Sequence, residues 1–187
     1  MTALKNEWMT VPNALTLLRL LLLIPLTFMI LSRQLGLGPL VIIMLWSGSD
    51  LLDGYIARGY GQTTRFGEVF DPLADRLGIF TVSVTLSHIG ALPWVIPAII
   101  GLTDVASTLF AGRAAASGDI HVTMIGKVRS AILFLGLVLM VASISHLPEV
   151  CPIAAMFIGV GTLLHLVAGV IYIRDARCTV KQVRHSV

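Results

Sequence analysis

Of the 187 residues, 56% are hydrophobic and only 12% are charged, and the mean hydropathy is +0.91. These values exclude a soluble globular domain and read as an all-α integral membrane protein. A net charge of +3 with a pI near 9.2 would also suit a nucleic-acid ligand, but the placement of the basic residues argues against that.

Apolar runs of bilayer-spanning length, roughly 20 residues each, fall at about 14–31, 39–58, 67–88, 93–112, 127–146 and 152–173. They predict six transmembrane helices in a single membrane domain over 1–187. Pro12-Asn13 opens the first helix, with Thr16 and Arg19 in its first turns. That run is too long for a signal-peptide core and is expected to remain as the first span. Gly36, Gly38 and Pro39 make the outer turn, residues 59–66 form the next loop, and Gly67 begins the third helix. Pro93 and Pro97 punctuate the start of the fourth, and Gly118, Asp119 and Gly126 mark a long inner loop before the fifth.

Twelve of the thirteen basic residues, Lys5, Arg19, Arg58, Arg65, Arg76, Arg113, Lys127, Arg129, Arg174, Arg177, Lys181 and Arg184, lie beside the amino terminus, the second and fourth loops, and the tail. Arg33 alone lies on the other side. This bias puts both termini in the cytoplasm of a bacterial-type membrane and makes the basic tail a topology anchor facing anionic lipid, not a nucleic-acid site. Cys151 and Cys178 then fall on opposite sides, so no disulfide joins them.

Asp50, Asp53, Asp71 and Asp75 interrupt this apolar chain at spacings of three, eighteen and four. Carboxylates at membrane depth are costly and mark function. Helical spacing puts Asp50, Asp53, Gly54, Ala57 and Arg58 on one stripe, and Asp71 and Asp75 on another. Both stripes sit at the cytoplasmic end. Converging carboxylates repel unless cations lie between them, and hard divalent ions with oxygen ligands, Mg²⁺ or Mn²⁺, are the natural partners. Such ions polarise phosphoryl groups, so the expected substrate is a phosphate ester. Gly54, Ala57 and Gly67 leave room for a base or diphosphate, Arg58 offers a bidentate fork, and Thr64 adds a hydroxyl.

Asp50, Asp53-Gly54, Ala57-Arg58, Gly67, Asp71 and Asp75 together resemble the full signature of the CDP-alcohol phosphatidyltransferase family. The resemblance implies transfer of a phosphatidyl group from CDP-diacylglycerol to an alcohol, with release of CMP, at a site with two divalent ions. It implies that Asp50, Asp53 and Asp71 are metal ligands, and that Asp75 is the general base and touches the second metal. Gly54, Arg58 and Thr64 would hold the nucleotide and diphosphate, with Asn13 and Thr16 of the first helix lining the pocket. A homodimer is also implied, and small residues in the third and fourth helices permit close packing.

The flanking segments Val11-Pro12-Asn13 and Thr64 to Gly67, with Gly126-Lys127, resemble the branch that makes phosphatidylglycerophosphate or cardiolipin. Glycerol 3-phosphate is the preferred acceptor, its phosphate met by Arg113, Lys127 and Arg129. Members using it usually carry Arg-Glu in the fourth helix, where this chain has Thr103-Asp104. That departure weighs toward phosphatidylglycerol as acceptor, in which case Thr103 is expected where a bulky second lipid can approach. An ion transporter is the alternative from another class. The acidic residues at one face, with no polar path through later helices beyond Asp104, weigh against it. His88, His146 and His165 read as interface or packing residues.

Overall fold

The computed structural model describes the backbone of residues 11–34, 36–60, 65–116 and 124–185, and the side chains of 14–34, 36–49, 70–108 and 128–171. Among them the chain forms six α-helices: α1 (Val11–Leu31), α2 (Leu37–Tyr60), α3 (Arg65–His88), α4 (Val95–Ala116), α5 (Met124–Ser145) and α6 (Cys151–His185). A short 3₁₀ turn, Pro148–Val150, leads into α6. All six apolar runs are helical. Three segments, Ala14–Leu31, Val128–Ser145 and Pro148–Ile171, are long and apolar enough to cross a membrane by the described residues, while Leu37–Ser49 and Val95–Thr108 are shorter apolar stretches.

Several boundaries differ from expectation. Tyr60 and Arg65 are helical, which shortens the connection between α2 and α3 to residues 61–64. Gly126 lies inside α5 rather than in the loop before it. Helix α6 continues to His185, through the basic segment read as a tail. Lys and Arg are good helix formers, and the last turn of a helix favours cations, so charge alone does not end it.

Residue placement along α1 shows how these helices sit in lipid. Leu17, Leu21, Ile24 and Phe28 are exposed, whereas Thr16, Arg19, Leu23, Leu26 and Ile30 are buried, each set following the three-or-four spacing of one helix face. An apolar helix with an exposed apolar face is stable where the surroundings are themselves apolar. The buried core joins Leu26 and Ile30 with Ile43, Trp46, Val82, Leu86, Ile100, Leu133, Leu137 and Ile158. Hydroxyls within the apolar α3 satisfy themselves locally: Ser83, Thr85 and Ser87 donate to the carbonyls of Phe80, Thr81 and Ser83.

Three close approaches mark where α5 meets α6 and where α2 reaches α3. A Cβ on Gly161 of α6 would lie 2.7 Å from Leu133 Cα, and one on Gly136 of α5 would lie 2.7 Å from the Ile158 backbone nitrogen. Backbones this near require glycine. Between α2 and α3, a Cβ on Gly78 would lie 2.1 Å from the Trp46 ring. Trp46 and Gly78 stand at similar distances from the connection at 61–64, so α2 and α3 run antiparallel, each packed on α1 and α5.

Helices α1 and α3, by contrast, run parallel. Thr16 meets Asp71, Arg19 meets Asp75, and Arg33 donates to the Ile89 carbonyl, three pairs separated by 55, 56 and 56 residues. A constant offset along both helices is possible only if they point the same way. The amino-terminal ends of α1 and α3 therefore share one face of the bundle. At the other face Arg33, with φ of 54°, and Gly90, with φ of 82°, make the left-handed turns that end α1 and α3.

A carboxylate site between α1 and α3

Helix α3 carries Asp71 and Asp75 four residues apart, and α1 carries Thr16 and Arg19 three residues apart, so each pair occupies one face. Parallel packing brings the two faces together. Thr16 Oγ1 donates to Asp71 Oδ1 at 2.5 Å, and Arg19 Nη1 lies 2.5 Å from Asp75 Oδ1. Thr16 and Arg19 are fully buried, whereas the Asp75 side chain is 42% exposed. The carboxylate is thus held from the protein side and open on the other.

The Trp46 ring of α2 reaches α3 at Gly78, one turn beyond Asp75. On α2, residues 50 and 53 follow Trp46 by four and seven; on α3, residues 75 and 71 precede Gly78 by three and seven. The side chains of Asp50, Asp53, Gly54, Ala57, Arg58 and Gly67 lie outside the described residues, as do those of Asn13, Arg113 and Lys127. Thr64 lies outside them entirely.

Among the described residues, no three His, Cys, Asp or Glu side chains gather in one place. Asp71 and Asp75 stand one turn apart on α3 and bring two carboxylates to this face. Hard oxygen donors on neighbouring turns suit Mg²⁺ or Mn²⁺, so the donor chemistry present fits the expected ions.

An apolar groove of about 330 Å³ runs beside this site between α1 and α2, lined by Leu15, Leu18, Leu22, Met44 and Leu45 and ending at Ser49. It borders the residue that precedes Asp50.

A second polar cluster lies on the far side of α3. Arg76 donates to Thr108 Oγ1 at 3.0 Å and comes within 3.9 Å of Asp104 Oδ1. His165 Nε2 lies 3.1 Å from the same oxygen, though the ring is not aligned for a hydrogen bond. Arg129, 3% exposed, reaches the His165 carbonyl at 3.4 Å. His165 is buried, as a packing residue would be, with Asp104 beside its ring, and Arg129 faces the bundle interior. Thr103 is also buried, and a Cβ on Gly169 of α6 would lie 2.6 Å from its Cγ2. Residue 103 is thus packed on α6, not open to a second lipid.

Sequence reasoning named Thr16 but gave Arg19 no partner. Its signal was available: an arginine inside an apolar run needs a counter-charge, and Asp75 is one of few. Asp104 and His165 carried the same signal, but no sequence spacing connects two helices that are distant in the chain.

The model of the CDP-alcohol phosphatidyltransferase domain matches residues 9–173. The chain belongs to the CDP-alcohol phosphatidyltransferase family. That span contains all four aspartates together with Thr16 and Arg19, and membership in this family with three long apolar helices makes the chain a membrane protein. A putative cardiolipin synthase of Mycobacterium tuberculosis is 40% identical over 91 residues, covering 48% of this chain and 43% of the relative. A probable phosphatidylglycerophosphate synthase of the same species is 28% identical over 180 residues, covering 93% of this chain and 85% of the relative. A CDP-diacylglycerol–glycerol-3-phosphate 3-phosphatidyltransferase of Aquifex aeolicus is 41% identical over 80 residues, 43% of either chain. The matches to the first and third of these phosphatidyltransferase relatives thus span under half of each relative's length.

Proposed function

We propose that the protein transfers the phosphatidyl group of CDP-diacylglycerol to glycerol 3-phosphate, giving phosphatidylglycerophosphate and CMP. The observation that carries this reading is the family match over the aspartate signature and its α1 partners. The long alignment with a probable phosphatidylglycerophosphate synthase supports the choice of acceptor.

In this account the acceptor hydroxyl gives its proton to Asp75, and its oxygen attacks the phosphorus that carries diacylglycerol. The bond from that phosphorus to the CMP oxygen breaks. Arg58 meets the charge developing on CMP, while Asn13, Thr16, Gly54, Ala57, Thr64 and Gly67 seat the nucleotide and diphosphate. Two divalent ions held by Asp50, Asp53, Asp71 and Asp75 would supply charge neutralisation at the diphosphate. One acyl chain of the donor lies in the apolar groove between α1 and α2, so that its head group reaches the aspartates. Arg113, Lys127 and Arg129 meet the acceptor phosphate. All six helices cross the membrane, with both termini and the site at the cytoplasmic face, and the protein works as a homodimer.

Phosphatidylglycerol, giving cardiolipin, is the second reading, favoured by the 40% identity to putative cardiolipin synthases. The burial of Thr103 against α6 runs counter to the open approach that this reading expects at residue 103. An acceptor screen with purified protein, labelled CDP-diacylglycerol and Mg²⁺ or Mn²⁺ separates the two. Product with glycerol 3-phosphate supports the first reading; activity with phosphatidylglycerol and none with millimolar glycerol 3-phosphate overturns it.

A further inference from the structure

Arg19 stands in the first turns of an apolar helix, is 1% exposed, and holds Asp75 at 2.5 Å. A buried guanidinium in that position must be answered by a carboxylate. Resting on the metal reading proposed above, we propose that Arg19 is a resident counter-cation of the carboxylate cluster that competes with a divalent ion for Asp75. It thereby sets how tightly the site holds its metal.

Two physical effects act in the same direction. Arg19 occupies Oδ1, one of the two oxygens that Asp75 can offer an ion. Its positive charge also opposes any second cation brought to that carboxylate, by an amount that grows as water is excluded. The geometry lets both partners be present at once, because Asp75 is 42% exposed while the Arg19 side chain is 2% exposed. An ion approaches from the open side, and the arginine pulls from the buried one. Nor can α1 easily slide away to release the contact, since Thr16 holds Asp71 one turn earlier and Arg33 holds Ile89 at the other end of the helix. Thr16 is neutral and so differs in kind: it orients a carboxylate without cancelling its charge.

The test is Mn²⁺ binding to the purified full chain in detergent, without substrate, read from the free-ion resonance signal and from the metal-dependent shift in melting temperature. Arg19→Gln should tighten Mn²⁺ binding by about tenfold and enlarge the metal-dependent shift, as expected for removing one nearby positive charge. Arg19→Met, apolar and unbranched, should act alike and serves if the glutamine variant does not accumulate. Arg19→Lys should stay within about twofold of the parent, because the charge is retained. Unchanged or weaker binding in a folded Gln or Met variant overturns the inference, as does equal tightening in the Lys variant. Failure of the parent protein to bind Mn²⁺ overturns the metal reading itself and this inference with it.

Discussion

Trp46 of α2 lies against Gly78 of α3 so closely that any side chain at 78 would enter the indole ring. Trp46 is buried and also stacks at a tilt on Phe134 of α5, with ring centroids 4.9 Å apart, so it has little freedom to yield. This contact ties the middle of α2 to the middle of α3. Gly78→Ala is therefore expected to lower stability by about 1–3 kcal/mol, as overpacking does, and to reduce activity by shifting the two aspartate pairs. Thermal melting and turnover measure this, and Trp46→Leu in the same chain should restore part of both. A Gly78→Ala variant with parental melting and activity would contradict this packing.

The six-span arrangement with cytoplasmic termini is tested by the native cysteines. Cys151 is exposed at the start of α6, and Cys178 lies near the basic end of the same helix. An impermeant thiol reagent on intact, right-side-out membranes should modify Cys151 and spare Cys178. Labelling of Cys178 instead would reverse the orientation.

The basic residues proposed to meet the acceptor phosphate are tested one by one. Arg113→Ala or Lys127→Ala should raise the KM for glycerol 3-phosphate with little change for CDP-diacylglycerol. A direct charged hydrogen bond is worth about 1.5–3 kcal/mol, roughly tenfold or more in affinity. Arg129→Ala should also lower the melting temperature, because the buried guanidinium supports the His165 carbonyl. Equal KM values for parent and variants would remove these residues from the acceptor site.

Much of the architecture was legible in the chain because lipid imposes a simple rule: an apolar run of about 20 residues must be helical to satisfy its backbone. The four aspartates were legible for the complementary reason, that charge is rare where it is expensive. What spacing did not convey was direction across helices. Within the α3 sequence Asp75 and Arg76 are neighbours, yet the first faces Arg19 of α1 and the second faces Asp104 and Thr108 of α4. The Asp104–His165 approach likewise joins residues that no local periodicity links. Helix ends were the other weak point, because Gly126 and the basic residues beyond 173 are tolerated inside helices when packing or the helix dipole favours them.

The central claim is most directly tested by CMP release from CDP-diacylglycerol. Purified protein with glycerol 3-phosphate and Mg²⁺ or Mn²⁺ should release CMP in step with formation of phosphatidylglycerophosphate, and excess chelator should stop it. Asp50→Asn, Asp53→Asn and Asp71→Asn should each abolish release, since each removes a charged oxygen ligand. Asp75→Asn should abolish turnover while still binding CDP-diacylglycerol. Full release in chelator, or near-parental turnover in any of the four variants, would contradict the account.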